Sequence, residues 1–213
     1  MSTKQDRRSF LKLGATVGTG LALGGTSLAG DEQAQKEDLT IFDVIKKRRS
    51  VRKFKSTPVP KEHIMKILDA ANFAPTPRNR QAWRYLVIQD RAKLDQLKGE
   101  CIKEAGEQRR QYYTDYLSAP VYIVILADSN TRNPENDLIA ASVSVGYLML
   151  AARALGYGTV FCRNSISKEI VRKLFNIPDR FKWVCITPVG VPETWPESPP
   201  KKNLDELVAY DTF

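Results

Sequence analysis

The sequence predicts one three-layer domain that combines helices with a sheet, of either the α/β or the α+β class. Helical and strand-type patterns alternate along the chain, no internal repeat is visible, and no linker divides the main part of the chain in two. The 213 residues are 42% hydrophobic and 27% charged, which is ordinary for a globular protein and suits a single core.

The first two predicted helices have the clearest local signals. Thr40 and Asp43 approximate a capping box at the start of the first helix. Ile64, Ile67 and Leu68 recur at helical spacing in the second. The elements predicted after them are a loop at 75–81, a strand at 83–89, a charged helical segment at 91–117, a buried strand at 121–127, a helix at 137–155, a strand at 159–162, a helix capped by Ser167 through residue 175, a last strand at 183–190 and a Pro-rich C-terminal arm from residue 191.

The helix at 137–155 is apolar on nearly all sides and is closed by Gly156. Such a helix must be covered, so we expect it in the core or in a subunit interface. Four residues within it argue against a stable membrane span: Ser142, Ser144, Gly146 and Arg153.

The N-terminus resembles a twin-arginine export signal. Arg7 and Arg8 are followed by Phe-Leu-Lys, a weakly apolar stretch and a small-x-small cleavage pattern. This route moves folded proteins, often with a cofactor already bound, so the signal also favours a cofactor. The predicted organisation is a signal peptide at 1–29, a linker at 30–39 and a folded domain at 40–213, which places the protein in the periplasm or elsewhere outside the cytoplasm.

The residue inventory excludes several kinds of site. His63 is the single histidine, so a multi-His zinc site and a network of proton-transferring histidines are excluded, and no metal site is expected. The three cysteines are widely spaced and form no CxxC motif, so they cannot make a dense disulfide framework. Cys162 is interpreted as a small buried strand residue.

The net charge of +9 needs an explanation, and residues 1–29 carry three of those units. The densest remaining basic cluster is at 46–55, for which a solvated charge run, a nucleic-acid patch, a nuclear address and an anion site are the competing interpretations. Only one aromatic residue is nearby, which disfavours nucleic acid, and a nuclear address has no role behind an export signal. Arg48, Ser50 and Arg52 alternate, so in an extended segment all three point the same way and can form a phosphate cradle.

Four motifs in order resemble those of the FMN-dependent nitroreductase family. They are Arg-x-Ser-x-Arg-x-Phe at 48–54, an Ala-Pro-rich loop ending in Trp at 74–83, an apolar strand after Ala-Pro at 119–124, and Ala-Leu-Gly-x-Gly-Thr at 154–159. The similarity runs from about Thr40 to Val208. It implies an α+β fold of three layers (α/β/α) with a central mixed, mainly antiparallel sheet and a C-terminal arm.

The same resemblance implies bound FMN at the interface of a homodimer. The implied cofactor-binding residues are Arg48, Arg49, Ser50 and Arg52 for the phosphate and the pyrimidine side of the flavin, Pro75, Thr76, Pro77 and Asn79 for the flavin of the other subunit, Arg163 and Asn164 over the flavin face, and Lys201 of the C-terminal arm for the phosphate. Arg52 is the candidate cation near the N1/O2 edge, where it would stabilise the reduced flavin.

Departures from the family pattern concern the substrate more than FMN. Ala82 replaces the Pro that usually precedes Trp, Pro77 removes an N–H donor, and Arg163 replaces a Gly or Glu. Arg163 either selects an anionic or nitro-bearing substrate or points to solvent. The tyrosines of the charged helical segment either line a substrate lid or simply pack: Tyr112, Tyr113 and Tyr116.

The expected function is that of an exported FMN-dependent oxidoreductase. NAD(P)H or another donor, such as a redox partner protein, supplies two electrons that a small electrophile, a nitroaromatic or a quinone, then takes in a ping-pong cycle. The flavin carries the chemistry, so no catalytic side chain is required. The alternatives are a dehalogenase or flavin-destroying enzyme of the same superfamily, or a flavin-binding or electron-carrying protein without turnover; a nucleic-acid partner is not expected.

Overall fold

The computed structural model describes residues 39–212, and the predicted export signal and most of the linker lie outside these residues. The helices are α1 (Ile41–Lys47), α2 (Lys61–Asn72), α3 (Arg91–Ala105), α4 (Arg110–Tyr116), α5 (Pro134–Ala154) and α6 (Lys168–Leu174), and the strands are β1 (Trp83–Ile88), β2 (Val121–Asp128) and β3 (Phe181–Val189). Short 3₁₀ turns occupy Pro77–Asn79, Glu107–Arg109 and Leu204–Glu206.

The three strands form an antiparallel sheet in the order β1-β2-β3. β2 lies in the middle and is buried on both faces, as expected for a continuous apolar run. Its Tyr122, Val124 and Leu126 join a core cluster that also contains residues of α3, α4 and α6. Its remaining apolar residues join a second cluster with α2 and α5, so the sheet lies between two helical layers. The predicted three-layer α+β architecture is confirmed.

Local signals set the helix boundaries. The Thr40 hydroxyl accepts from the Asp43 N–H, and the Asp43 carboxylate accepts from the Thr40 N–H, so the predicted capping box is present. Gly106, with φ of 89°, ends α3 and splits the predicted helical segment at 91–117 into α3 and α4. Ser167 stands at the N-cap position of α6, but its side chain makes no capping bond, and its hydroxyl instead donates to Glu104 Oε1 at 3.3 Å.

The predicted strand at 159–162 is not continuous. Gly158 forms a single bridge with Gly190, directly after β3, Thr159 forms one with Ser50 in the parallel sense, and Cys162 forms one with Ile186 within β3. Because the partners change along the segment, no ladder builds up. The Thr159–Ser50 bridge makes the local pairing mixed, as predicted.

α5 is the one helix within residues 39–212 that is long and apolar enough to cross a membrane, and half of its apolar 18-residue stretch is buried in the protein. One face packs on the sheet through residues such as Val145 and Leu148. Ile139, Val143 and Tyr147 follow one another at i, i+4 and i+8 and remain exposed, by 62%, 38% and 41%. The helix thus covers the core on one side and leaves an apolar stripe on the other.

Candidate functional site

The basic segment after α1 is extended and has two distinct faces. Arg48, the C-cap of α1, has β-region backbone angles, and Ser50 bridges Thr159. Val51 is buried in the core, and its N–H donates to the Thr159 carbonyl at 3.0 Å. Arg52 follows on the exposed side. Val51 therefore points into the core and Arg52 lies on the exposed side, as alternation in an extended segment requires.

A close backbone contact holds this segment in place. A Cβ added to Gly158 would lie 2.7 Å from Val51 Cβ, closer than real Cβ atoms come. Further along, Lys55 N–H donates to the Val191 carbonyl, and Glu193 N–H donates to the Lys53 carbonyl. The segment is thus fixed between the turn after α5 and the start of the C-terminal arm.

Arg48 carries a buried nitrogen that lacks a partner. Its Nη1 forms no hydrogen bond with any atom of residues 39–212. Burial lowers the pKa of Arg48, and the charge of Arg49 lowers it further. An unsatisfied buried donor costs about 1–3 kcal/mol, and an anion at this point would remove that cost. A phosphate group offers several acceptors, so the residues present fit the phosphate of FMN.

The other predicted phosphate ligands differ in their surroundings. Arg49 Nη1 donates to the carbonyls of Lys46 at 2.6 Å and Arg48 at 2.8 Å, so part of its guanidinium caps α1. Lys201 is exposed in the C-terminal arm and forms no hydrogen bond or ion pair with the described residues. Arg48 and Lys201 therefore have donors available, whereas Arg49 is partly engaged.

Arg52 is anchored at two points. Its Nε donates to the Tyr116 hydroxyl at 2.9 Å, and its Nη1 donates to the Ser50 carbonyl at 3.2 Å. Lys53 Nζ lies 3.4 Å from the Asp115 carboxylate. Residues 52 and 53 are thus both tied to the C-terminal end of α4.

The turn that follows Cys162 is attached to β3. Arg163 is exposed, but its Nη1 donates to the Val184 carbonyl at 3.0 Å, and the Trp183 Nε1 donates to the Arg163 carbonyl at 3.0 Å. Burial raises the pKa of the Cys162 thiol to about 12, despite the opposing charge of Arg52. Cys162 is buried as predicted, and its thiol is not poised to ionise.

The loop at 74–81 has an unusual backbone. Arg78, Asn79 and Gln81 all have φ near 50°, in the left-handed region. Gln81 Nε2 donates to the Asn79 side chain at 2.8 Å, and the Gln81 N–H donates to the Thr76 hydroxyl at 3.3 Å. Strained conformations persist only where the surroundings enforce them, and they cluster at ligand sites.

One buried ion pair fixes this loop on α5. Arg80 donates two hydrogen bonds, at 2.9 and 2.7 Å, to the fully buried Asp137, which also accepts from Thr131. No hydrogen bond or ion pair within residues 39–212 joins the predicted ligands Pro75, Thr76, Pro77 and Asn79 to the segment at 48–52. Their role at the flavin of another subunit stays a prediction.

A family model described as the nitroreductase family matches residues 45–191, which include the arginine segment, the loop and the turn after Cys162. The chain belongs to the nitroreductase family. The match spans all three strands and α2 through α6, so it covers the architecture as well as the candidate site.

The names of similar proteins refer to more than one activity. An iodotyrosine deiodinase from Thermotoga neapolitana is 29% identical over 81% of this chain and 98% of its own length. A protein from Methanothermobacter thermautotrophicus, assigned provisionally as an NADH dehydrogenase/NAD(P)H nitroreductase, is 30% identical over 82% of this chain and 86% of its own. An oxidised iodotyrosine deiodinase, solved with FMN and 3-iodo-L-tyrosine bound, superposes with a TM-score of 0.69 at 27% identity, covering 82% of this chain and 100% of that one.

The structure shows one group of contacts at the candidate site that the sequence did not predict. The tyrosine hydroxyl on Arg52 and the carboxylate on Lys53 both come from α4, 64 and 62 residues further along the chain. The i, i+4 spacing of Tyr112 and Tyr116 was the available signal, because it places both rings on one helix face.

Proposed function

We propose that this protein is an FMN-dependent oxidoreductase that transfers two electrons, in a ping-pong cycle, from NAD(P)H or another donor to a small electrophile such as a nitroaromatic or a quinone. The single observation that carries the proposal is the buried, unpaired Arg48 Nη1 within the Arg-x-Ser-x-Arg segment. Family membership supports it, as does FMN in the structure of the iodotyrosine deiodinase.

The chain's own residues have binding and orienting roles in this proposal. FMN, when bound, supplies the two-electron chemistry. Arg48 and Ser50 hold the phosphate, Arg52 presents a positive charge to the flavin, and the backbone at Arg163 and Asn164 forms one wall of the site. Preorganised donors of this kind need no reorganisation when charge develops.

The decisive test of turnover is anaerobic and stepwise. Purified protein loaded with FMN is mixed with NADPH or NADH, and loss of the flavin absorption is recorded; a nitroaromatic or a quinone is then added. The proposal predicts bleaching followed by recovery of the oxidised spectrum. A flavin that is reduced by dithionite but exchanges electrons with neither class of substrate would mark a carrier without turnover of its own.

A reductive dehalogenase is the second candidate, favoured by the deiodinase relative that matches over 98% of its length. The same stepwise assay separates the two if 3-iodo-L-tyrosine replaces the nitroaromatic. Release of iodide with flavin reoxidation would favour the dehalogenase, whereas reoxidation by nitroaromatics alone would favour the reductase.

We also propose a homodimer. The exposed apolar side chains on α5 are accompanied by Phe42 on α1, exposed by 70%. α1 contacts α5, so their apolar residues belong to neighbouring parts of one surface. Exposed apolar side chains on two helices in contact favour an interaction site. Sedimentation equilibrium should give twice the chain mass, and a monomer at micromolar concentration would contradict the proposal.

Export by the twin-arginine route rests on the sequence pattern at 1–29. Replacing Arg7 and Arg8 together by Lys keeps the charge but removes the paired arginines. The proposal predicts that the unchanged protein is found outside the cytoplasm and that the doubly substituted protein is retained in it. Equal distribution of both proteins on cell fractionation would refute export by this route.

A further inference from the structure

Tyr116 on α4 holds the side chain of Arg52, a contact with no counterpart in the sequence motifs. Arginine has a long side chain with large rotamer freedom, and that of Arg52 is exposed. The two donors already described, Nε to Tyr116 and Nη1 to the Ser50 carbonyl, fix the plane of the guanidinium. The Nη2 side of the fork remains available for another acceptor.

α4 is in turn fixed from both ends. Asp115 pairs with Lys53 at 3.4 Å. The Tyr112 ring stacks on the Tyr116 ring, with centroids 4.5 Å apart, and the guanidinium of Arg109 lies over Tyr112 at 4.7 Å. These contacts restrict the position of the Tyr116 hydroxyl before any ligand arrives.

The contacts of α4 also reach the opposite wall of the site. Burial raises the pKa of Tyr112, and the neighbouring Ser165 side chain opposes that shift. Ser165 lies in the turn that contains Arg163 and Asn164. Direct contacts therefore join Arg52, Tyr116 and Tyr112, and Ser165 in the other segment of the candidate FMN site lies close enough to Tyr112 to affect its pKa.

We propose that Tyr116 is a positioning residue that orients the Arg52 guanidinium towards the flavin, so that its charge favours reduced over oxidised FMN. The proposal rests on the proposed function, because it takes FMN as the ligand. A charge held by fixed hydrogen bonds acts on developing negative charge without first losing side-chain freedom. Tyr116 acts through Arg52 and is not itself a catalytic residue.

The test compares dissociation constants for oxidised and dithionite-reduced FMN, measured anaerobically. Tyr116→Phe keeps the ring and its stacking but removes the hydroxyl. We expect it to weaken binding of reduced FMN relative to oxidised FMN about fivefold, the order expected when one hydrogen bond to a partly exposed charged group is lost. Tyr113→Phe is the matched control, because it removes from the same helix a hydroxyl group that makes no contact with Arg52. The ratio of its dissociation constants for reduced and oxidised FMN should equal that of the wild type.

A double-mutant cycle distinguishes positioning from a general structural role. In the Arg52→Ala background, Tyr116→Phe should leave the ratio unchanged, because the residue it acts through is absent. A fivefold effect that persists in that background, or an unchanged ratio in the single variant, would overturn the proposal. Wild-type protein that binds no FMN would overturn the proposed function itself, and this is seen before any variant is compared.

Discussion

Arg48 should stabilise bound FMN while destabilising the FMN-free protein. Arg48→Met keeps the length of the side chain and removes the guanidinium. The unpaired buried Nη1 disappears, so the free energy of unfolding of the FMN-free protein should rise by about 1 kcal/mol. The same change removes a charge-assisted hydrogen bond to the phosphate, worth about 1.5–3 kcal/mol, so the Kd for FMN should rise about 10- to 150-fold.

Two measurements on the same samples check these opposite signs. Urea denaturation of FMN-free protein gives stability, and titration with FMN followed by quenching of flavin fluorescence gives affinity. Arg91→Met is the matched control, since Arg91 lies in an exposed i, i+4 ion pair with Asp95 on α3. It should change stability by less than about 1 kcal/mol and leave FMN binding unaltered. An Arg48 variant with the affinity of the wild type would refute the phosphate role.

Three further outcomes test the packing around the site. Gly158→Ala should lower the free energy of unfolding by about 1–3 kcal/mol, because its Cβ would collide with the arginine segment. Gly99→Ala, with open space around it in α3, should raise the free energy of unfolding by about 0.5–1 kcal/mol. Urea denaturation of both variants checks this. Arg80→Met should lower the free energy of unfolding by about 3–5 kcal/mol, because it leaves the buried Asp137 without its cation. Arg91→Met should lower it by less than about 1 kcal/mol, and equal costs would show that the Arg80 pair is not buried. Burial raises the pKa of the thiols of Cys101, Cys162 and Cys185. A thiol reagent at about pH 8 should therefore react slowly with the folded protein and label all three cysteines once the protein is unfolded. Rapid labelling of any of them in the folded protein would contradict their burial.

Features that depend on neighbours in sequence could be predicted. The Thr40–Asp43 capping box needs only three residues of separation, and the alternation of Val51 with Arg52 needs only an extended backbone. The apolar character of α5 predicts that the helix is covered, and Val145 is buried in the core whereas Ile139 is exposed.

Features that depend on distant residues could not. The strand predicted at 159–162 breaks into separate bridges, because Thr159 pairs with Ser50 of the arginine segment and Cys162 pairs with Ile186 of β3. The Arg80–Asp137 pair joins residues 57 positions apart, and the Tyr116–Arg52 hydrogen bond joins residues 64 apart. Charge and spacing identify such residues as candidates, but only the packing of the helices on the sheet decides which of them meet.

This chain is an FMN-binding member of the nitroreductase family. The most direct measurement is the absorption spectrum of the purified protein, followed by denaturation and identification of whatever is released by mass spectrometry. We expect a yellow protein that releases close to one FMN per chain and takes up added FMN to the same stoichiometry after the cofactor is removed. A colourless protein that binds no added FMN would contradict it.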